Sequence, residues 1–268
     1  MNITIKGSLL VSLLLAAGFV SAQAADNEKK AGNPVTTASP ACCEQLKGIT
    51  HFKDNDIRFT RNDGKVLFVD PTSGPNDNAV KKTGFLKADL ILITHPHDDH
   101  FKPWLLQAYI KANPQVVIAG PAMVVAVAKA YGIEGVQLVE PNKSYTFAGF
   151  EVSTLPAYFD NKDWGHSKDQ NWVGYVLPLN GARYYVTGDT QPMPESARAK
   201  ADIIFPLLSG CGGNMAQALE MAKLSGAKLV VPVSNNGQVE TIKKYIASLP
   251  QGVQSAYYIK GELLQATP

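Results

Sequence analysis

The sequence predicts a mixed α/β protein: one domain of mixed β-sheets that carry helices on their outer faces. Two tight-turn signals, Asn62-Asp63-Gly64 and Asn180-Gly181, each separate two apolar runs and predict antiparallel hairpins in both halves of the chain. The run at 89–94 (DLILIT) is almost continuously apolar, which is typical of a strand buried on both faces. Strands and helical segments then alternate, and this order favours helices packed outside the sheets.

The individual elements follow from the hydrophobic pattern and from turn residues. Short apolar runs bounded by turn signals predict strands at 57–60, 65–70, 89–94, 115–119, 150–155, 172–179, 183–187, 202–205, 228–233 and 256–259. Longer runs predict helices at 104–112, 121–131, 215–224 and 239–248, the second of which begins with a proline in its first turn. The stretch from residue 48 to residue 268 contains no strong linker and no repeat of fixed period, so a single domain is expected there.

Composition limits the class of protein further. Of 268 residues, 45% are hydrophobic and 18% are charged, which is compatible with a packed core and excludes wholesale disorder. The formal charge is +2, from 25 basic and 23 acidic side chains, and such a balance argues against a nucleic-acid interface as the main function. Three cysteines are too few for a fold built on disulfides.

The first 24 residues are typical of a secretory signal peptide. Lys6 precedes the uncharged run Leu9–Val20, and Ala22-Gln23-Ala24 matches a small-x-small cleavage site. The uncharged stretch 7–25 is short for a membrane anchor, which is the alternative. We therefore expect a signal peptide at 1–24, a flexible polar leader at 25–47 and the folded domain at 48–268. The mature protein is expected to be exported and free of the membrane, periplasmic in a Gram-negative source and otherwise secreted.

Export gives the cysteines a second meaning. In an oxidising compartment either Cys42 or Cys43 could form a disulfide with Cys211, while a free or metal-binding Cys211 is the competing interpretation. Because the number of cysteines is odd, at least one thiol is left over.

Three of the five histidines lie within the six residues His95-Pro96-His97-Asp98-Asp99-His100, directly after the apolar strand. A loop at a strand end allows these side chains to converge, and imidazole and carboxylate groups are the ligands that zinc, manganese and iron favour. A purely structural cluster would gather charge as the histidines protonate, with nothing to compensate for it. The cluster therefore predicts a metal site.

The His-x-His-x-Asp-His motif resembles the signature of the metallo-β-lactamase superfamily. Val66–Pro71 is similar to the family's strand ending in Asp-Pro, and Tyr184–Thr190 is similar to its later strand ending in Gly-Asp-Thr. With Trp172–Tyr175 just before, the spacing most resembles the branch of metal-dependent hydrolases that includes ascorbate-phosphate lactonase. The resemblance extends from about Gly48 to the C-terminus. It implies a four-layer αββα sandwich that holds one or two divalent metal ions, with zinc expected and manganese or iron as alternatives.

The resemblance also implies a role for each motif residue. The first ion would be held by His95, His97 and His166; the second by Asp99 and His100; and Asp189 would bridge the two. A surface histidine is the plain alternative for His166, and a helix cap or turn residue is the alternative for Asp189.

One ligand of the family pattern is missing, because no histidine follows residue 166. The family places a histidine after a late strand, which here is 228–233. An oxygen of Ser234 or Asn235 is one candidate replacement, and Cys211 in its glycine-rich loop is another.

The expected reaction is hydrolysis. In the family a metal-activated hydroxide attacks an ester, lactone, amide or phosphodiester, and Asp99 would be the catalytic residue that orients the hydroxide or takes its proton. A small molecule is the expected substrate, and nothing in the sequence selects one or fixes the oligomeric state. Four aromatic residues near His166 could line the substrate site or belong to the core: Tyr158, Phe159, Trp164 and Trp172. Two rival hypotheses are a mononuclear iron redox enzyme and a non-catalytic metal- or ligand-binding protein on the same fold.

Overall fold

The computed structural model describes residues 44–74, 87–160, 165–233, 239–259 and 261–266. The predicted signal peptide and most of the predicted leader, with Cys42 and Cys43, lie outside these residues, as do Trp164, Ser234 and Asn235. In the described part of the chain, no helix has the length and apolar character needed to cross a membrane.

The first sheet has six strands in sequence order, with two helices in its connections. The first three strands pair antiparallel, and the third to sixth run parallel. The strands are β1 (Ile49–His51), β2 (Ile57–Thr60), β3 (Val66–Val69), β4 (Leu90–Leu92), β5 (Val117–Gly120) and β6 (Gln137–Leu138). The helices are α1 (Pro103–Ala112) and α2 (Ala122–Ala130).

The second sheet has eight strands, also with neighbours in sequence order. The first four pair antiparallel, the fourth to seventh run parallel, and the last pair forms an antiparallel hairpin. The strands are β7 (Ser144–Phe147), β8 (Phe150–Pro156), β9 (Val173–Leu179), β10 (Ala182–Val186), β11 (Ile203–Phe205), β12 (Leu229–Val230), β13 (Gln254–Ile259) and β14 (Glu262–Ala266). Its helices are α3 (Met215–Ser225) and α4 (Val239–Ala247).

Alternation of side chains along the strands builds the layers. In β3, Leu67 and Val69 belong to the core between the two sheets, whereas Val66 and Phe68 pack with α1 and α2 on the outer face. The outer face of the second sheet packs in the same way against α3 and α4, through residues such as Ile204. The result is helix, sheet, sheet, helix, which confirms the predicted four-layer αββα sandwich.

The structure confirms both predicted hairpins. β2 and β3 pair with Thr60 opposite Val66, and β9 and β10 pair with Leu179 opposite Ala182. Asn180 and Gly181 both have positive φ, as a two-residue hairpin turn of this kind requires.

Several predicted boundaries differ from the observed ones. The strand predicted at 89–94 is regular only over β4: the Ile93 N–H still donates to the carbonyl of Ala119, but the backbone N–H of Thr94 donates to the Asp70 side chain at 2.7 Å. The strand predicted at 228–233 is regular only over β12, and Val233 forms a separate parallel bridge with Leu207. Helix α2 begins one residue later than predicted, since Pro121 is extended and caps it. Four strands were not predicted: β1, β6, β7 and β14.

Candidate metal centre

Strand direction brings the predicted site residues to one edge. β3 and β4 are parallel, so Asp70 and the motif 95–100, which follow them, lie at the same end of the first sheet. In the second sheet β8, β10 and β11 share one direction. His166, Asp189 and Cys211 follow these three strands and therefore lie together at its corresponding end.

Direct hydrogen bonds join the two sheets at this edge. The backbone N–H of Val173 donates to the carbonyl of Thr94 at 3.3 Å, and the Tyr175 hydroxyl donates to the carbonyl of Ile93 at 2.7 Å. Gly188 has φ +62°, and a Cβ on it would lie 3.2 Å from the Thr94 side chain. Glycine at 188 thus allows Asp189 to approach the histidine motif closely.

Three imidazoles converge on one point. The ligand nitrogens of His95, His97 and His166 lie within 4.8 Å of one another; His95 and His166 are buried and His97 is partly buried. Nε2 of His95 and both ring nitrogens of His166 are buried without a hydrogen-bond partner in the described part of the chain. Burial lowers the pKa of His166 to about 4 and that of His95 well below its usual value. Neutral imidazoles with unused, buried lone pairs are what a metal ion requires, so these residues fit the implied ion.

A second group joins His95 with His100 and Asp189, again with ligand atoms within 4.8 Å. The Nε2 atom of His100 lies 3.3 Å from Oδ1 of Asp189. Burial disfavours the charged form of both groups, yet their mutual attraction prevails: the pKa of Asp189 is held well below its usual range, and that of His100 is raised well above. Asp189 is thus a buried carboxylate that requires a cation beside it, and a divalent ion would meet that requirement.

Asp99 lies at the open side of the cluster. Its Oδ2 is 3.6 Å from Nε2 of His100, and 45% of its side chain is exposed. The neighbouring Asp98 is 97% exposed and faces Lys102 at 3.8 Å instead. Of these two adjacent carboxylates, Asp99 is the one that contacts both the cluster and solvent.

Asp70 and Thr94 support the histidines, a role that the sequence did not predict. Asp70 is buried with φ +46°, and its Oδ2 accepts from His100 Nδ1 at 2.7 Å and from the Thr94 hydroxyl at 2.6 Å. The same hydroxyl lies 2.9 Å from Nδ1 of His95. These bonds engage Nδ1 of both rings and direct Nε2 toward the cluster. The available signal was a carboxylate at the end of the strand beside the motif.

Asn55 is a third residue that sequence reasoning missed. Its buried side-chain amide lies 3.3 Å from Nε2 of His100 and donates to Oδ1 of Asp189 at 3.3 Å. It precedes β2 on the turn from β1. Since β1 was not predicted, no signal placed Asn55 at the site.

The aromatic residues near His166 are buried. The Trp172 ring stacks on His95 with centroids 4.8 Å apart and contacts His97 and His166 at 5.0 and 4.7 Å. Phe159 meets His166 edge-on at 5.5 Å. These two rings pack against the imidazoles on the buried side of the site, and Tyr158 is buried as well.

Cys211 lies on the other side of Asp189. It has no disulfide partner in the described part of the chain, so the predicted bond to Cys42 or Cys43 stays a prediction; the thiol is partly exposed, and its sulfur lies within 4.8 Å of ligand atoms of His166 and Asp189. Burial and the Asp189 carboxylate raise the pKa of Cys211 to about 12.

The sequence as a whole matches a known family. Residues 48–234 match the family model described as "Beta-lactamase superfamily domain", which is more than half of the chain. The chain belongs to the beta-lactamase superfamily. The predicted family is thereby confirmed, while the narrower resemblance to the ascorbate-phosphate lactonase branch stays a prediction.

Relatives within the superfamily are named as metal-dependent hydrolases. A UPF0173 metal-dependent hydrolase of Salinibacter ruber is 30% identical over 149 residues, covering 55% of this chain and 64% of the relative. A UPF0173 metal-dependent hydrolase of Thermus thermophilus is 27% identical over 179 residues, covering 65% of this chain and 78% of the relative. The first relative is therefore matched over less than two thirds of its length. The solved structure of Igni18, a metallo hydrolase of Ignicoccus hospitalis, shares the fold with a TM-score of 0.64 at 18% identity, over 81% of this chain and 96% of that one.

Proposed function

We propose that this superfamily member is a hydrolase with one or two bound divalent ions, zinc first among them, that cleaves a small-molecule ester, lactone, amide or phosphodiester. The proposal rests on one observation. Buried imidazole nitrogens, which have no hydrogen-bond partner in the described part of the chain, converge on the Asp189 carboxylate. The proposed ligands are His95, His97, Asp99, His100, His166 and Asp189.

A bound divalent ion supplies Lewis acidity, which lowers the pKa of water and polarises the oxygen under attack. The protein residues supply position and proton transfer. Trp172 and Phe159 close the rear of the site against water, and Asp70 and Thr94 fix the ring orientations. The Asp99 carboxylate, which lies at the open side, would orient the attacking water and take its proton.

The test combines metal analysis with a matched pair of variants. Protein purified without added metal is analysed for its elements and assayed on panels of esters, lactones, amides and phosphodiesters. We expect one or two zinc or manganese ions per chain and hydrolysis on at least one panel. Asp99→Asn should lower kcat/KM by about 10²-fold or more, whereas Asp98→Asn next to it should leave activity unchanged.

Each result has a distinct meaning. Equal activities of the Asp99 and Asp98 variants would contradict the role of Asp99. His97→Ala should abolish hydrolysis, and full activity in that variant would contradict metal dependence. Iron in place of zinc, with no turnover on any panel, would favour the redox hypothesis, and bound ligand without turnover would favour a binding protein.

We also propose that the protein is exported. The support is the order of Lys6, the apolar run Leu9–Val20 and the small-x-small site that ends at Ala24. Mass spectrometry of the protein from the periplasm or medium should find Ala25 as the first residue. A protein that keeps Met1 and stays inside the cell would contradict export.

A further inference from the structure

Cys211 is held at the metal centre by the loop between β11 and α3. Leu207 and Leu208, just after β11, are buried, and Leu207 pairs with Val233 in a parallel bridge. The turn is closed by the Gly213 N–H, which donates to the carbonyl of Gly210 at 2.7 Å. Cys211 lies at the tip of this turn, and these contacts fix the backbone that precedes and follows it.

A second, independent feature at the same place indicates a ligand. The His166 side chain is fully buried, and neither of its ring nitrogens has a hydrogen-bond partner in the described part of the chain. One of these nitrogens lies within 4.8 Å of both the Cys211 sulfur and an Asp189 oxygen. An imidazole, a carboxylate and a thiol thus converge on one small volume. Each of the three groups is a metal ligand in proteins.

We propose that Cys211 is a metal ligand of this centre and coordinates as a thiolate beside His166 and Asp189. This inference rests on the proposed metal-dependent function and adds a sulfur donor to it. Coordination requires the thiolate, so the thiol proton leaves to solvent as the ion binds. Thiolate is a soft ligand that favours zinc over magnesium, calcium or manganese, so Cys211 makes the centre selective for zinc-like ions.

The rest of the chain makes this donor significant. No histidine follows His166 in the sequence, so the late imidazole of the family pattern is absent. Among the described residues after Asp189, Cys211 is the only one whose ligand atom groups with the histidines. Its neighbours His166 and Asp189 also show where it would bind an ion: beside Asp189, on the His166 side of the centre.

Cobalt provides a test that does not depend on activity. The mature chain carrying Cys42→Ser and Cys43→Ser, so that Cys211 is its one thiol, is freed of metal by a chelator, kept reduced and loaded with Co(II). We expect a thiolate-to-cobalt charge-transfer band in the near ultraviolet, in addition to the visible bands of the bound ion. X-ray absorption of the zinc form should show a Zn–S distance of about 2.3 Å.

Adding Cys211→Ser provides the comparison. This variant should lose the charge-transfer band and the Zn–S distance, keep the visible cobalt bands, and bind zinc at least roughly tenfold more weakly, since loss of an outer-shell partner alone costs about that much. The decisive spectra come from the protein that retains Cys211, so a variant that fails to fold does not remove the test.

The outcomes separate this inference from the proposed function. Visible cobalt bands without a charge-transfer band or zinc-bound sulfur would overturn the role of Cys211 and leave the metal centre standing. The same follows if the charge-transfer band survives Cys211→Ser. Failure of the cysteine-retaining protein to bind any ion would overturn both.

Discussion

Asp70→Asn changes one atom in the network that orients His100. Asp70 Oδ1 accepts from the Thr94 backbone N–H at 2.7 Å, and Oδ2 accepts from His100 Nδ1 at 2.7 Å. In the variant the carbonyl oxygen of asparagine takes the Oδ1 position and its NH2 group faces His100. Because NH2 is a donor, Nδ1 must become the acceptor, so the ring loses its Nδ1 proton and keeps the one on Nε2. The opposite amide orientation would set NH2 against the Thr94 N–H instead, so the first orientation is the favourable one.

The expected loss of zinc affinity follows from the role of His100 Nε2 in metal binding. This atom lies 3.3 Å from Asp189 Oδ1 and is the ring nitrogen available to a metal ion. A proton on Nε2 removes its lone pair, so an ion can bind only after the unfavourable tautomer has formed. Loss of such a supporting carboxylate typically costs about 10- to 100-fold in metal affinity, about 1.4–2.8 kcal/mol. The ion held by His100 should be the one whose binding affinity decreases.

Two measurements check this expectation. Zinc titration by calorimetry should show a binding step that is weaker by about 10- to 100-fold, and NMR of ¹⁵N-histidine-labelled, metal-free protein should show that His100 has lost the Nδ1 proton that it carries in the parent. Asp98→Asn, which changes an exposed carboxylate in the same loop, is the matched control and should bind zinc as the parent does. Asparagine tolerates the positive φ of this position, so circular dichroism of Asp70→Asn should show an intact fold.

Zinc binding by Asp70→Asn as tight as that of the Asp98 control, with an unchanged His100 tautomer, would refute the orienting role of Asp70. A variant that loses all zinc together with its fold would show that Asp70 acts on the structure as a whole, which would also contradict the assigned role.

Two further predictions concern buried polar groups. Thr94→Val removes the hydroxyl that bonds Asp70 at 2.6 Å and His95 at 2.9 Å, so denaturant titration should show a loss of about 1–3 kcal/mol in unfolding free energy, while Thr94→Ser should retain most of it. Burial raises the pKa of Asp56 to about 7, above its unfolded value, so its contribution to stability is fully present below about pH 4 and is lost as the pH rises through 7. Asp56→Asn removes this dependence: its stability relative to the parent should rise by up to about 4 kcal/mol between about pH 4 and pH 8, and parallel stability curves for the two proteins would contradict the assignment.

The sequence predicted most strands and helices of this fold well because their signals are local, whereas the four-layer arrangement was implied by the family resemblance. A two-residue Asn-Gly turn needs no information from elsewhere, and a strand such as β4, buried on both faces, is apolar throughout. The missed strands lack such signals. β7 has the polar-aromatic sequence SYTF and no fully buried residue, since it forms an edge of the second sheet and pairs only with β8.

The site was predictable to the extent that its residues form a motif. His95, His97 and His100 lie within six residues, and the structure places Asp189 and His166 beside them. Asn55 could not be found in this way, because a single asparagine in a turn resembles any other turn residue. Its contact with Asp189 spans 134 positions and exists because β1 and β10 end, and β2 begins, at one edge.

The burial of the predicted histidines explains how they would bind a metal ion. Unpartnered buried nitrogens on His95 and His166 each cost about 1–3 kcal/mol in the absence of an ion, and the fold tolerates this because two close-packed sheets fix the edge that carries them. Neutral imidazoles that are buried and packed against Trp172 cannot turn toward water to recover that energy. A divalent ion satisfies all of these groups at once, so its binding stabilises the folded chain and meets ligands that are already oriented. The free energy lost through these unpartnered groups in the metal-free protein is therefore regained when an ion binds, which increases the affinity of the site for metal.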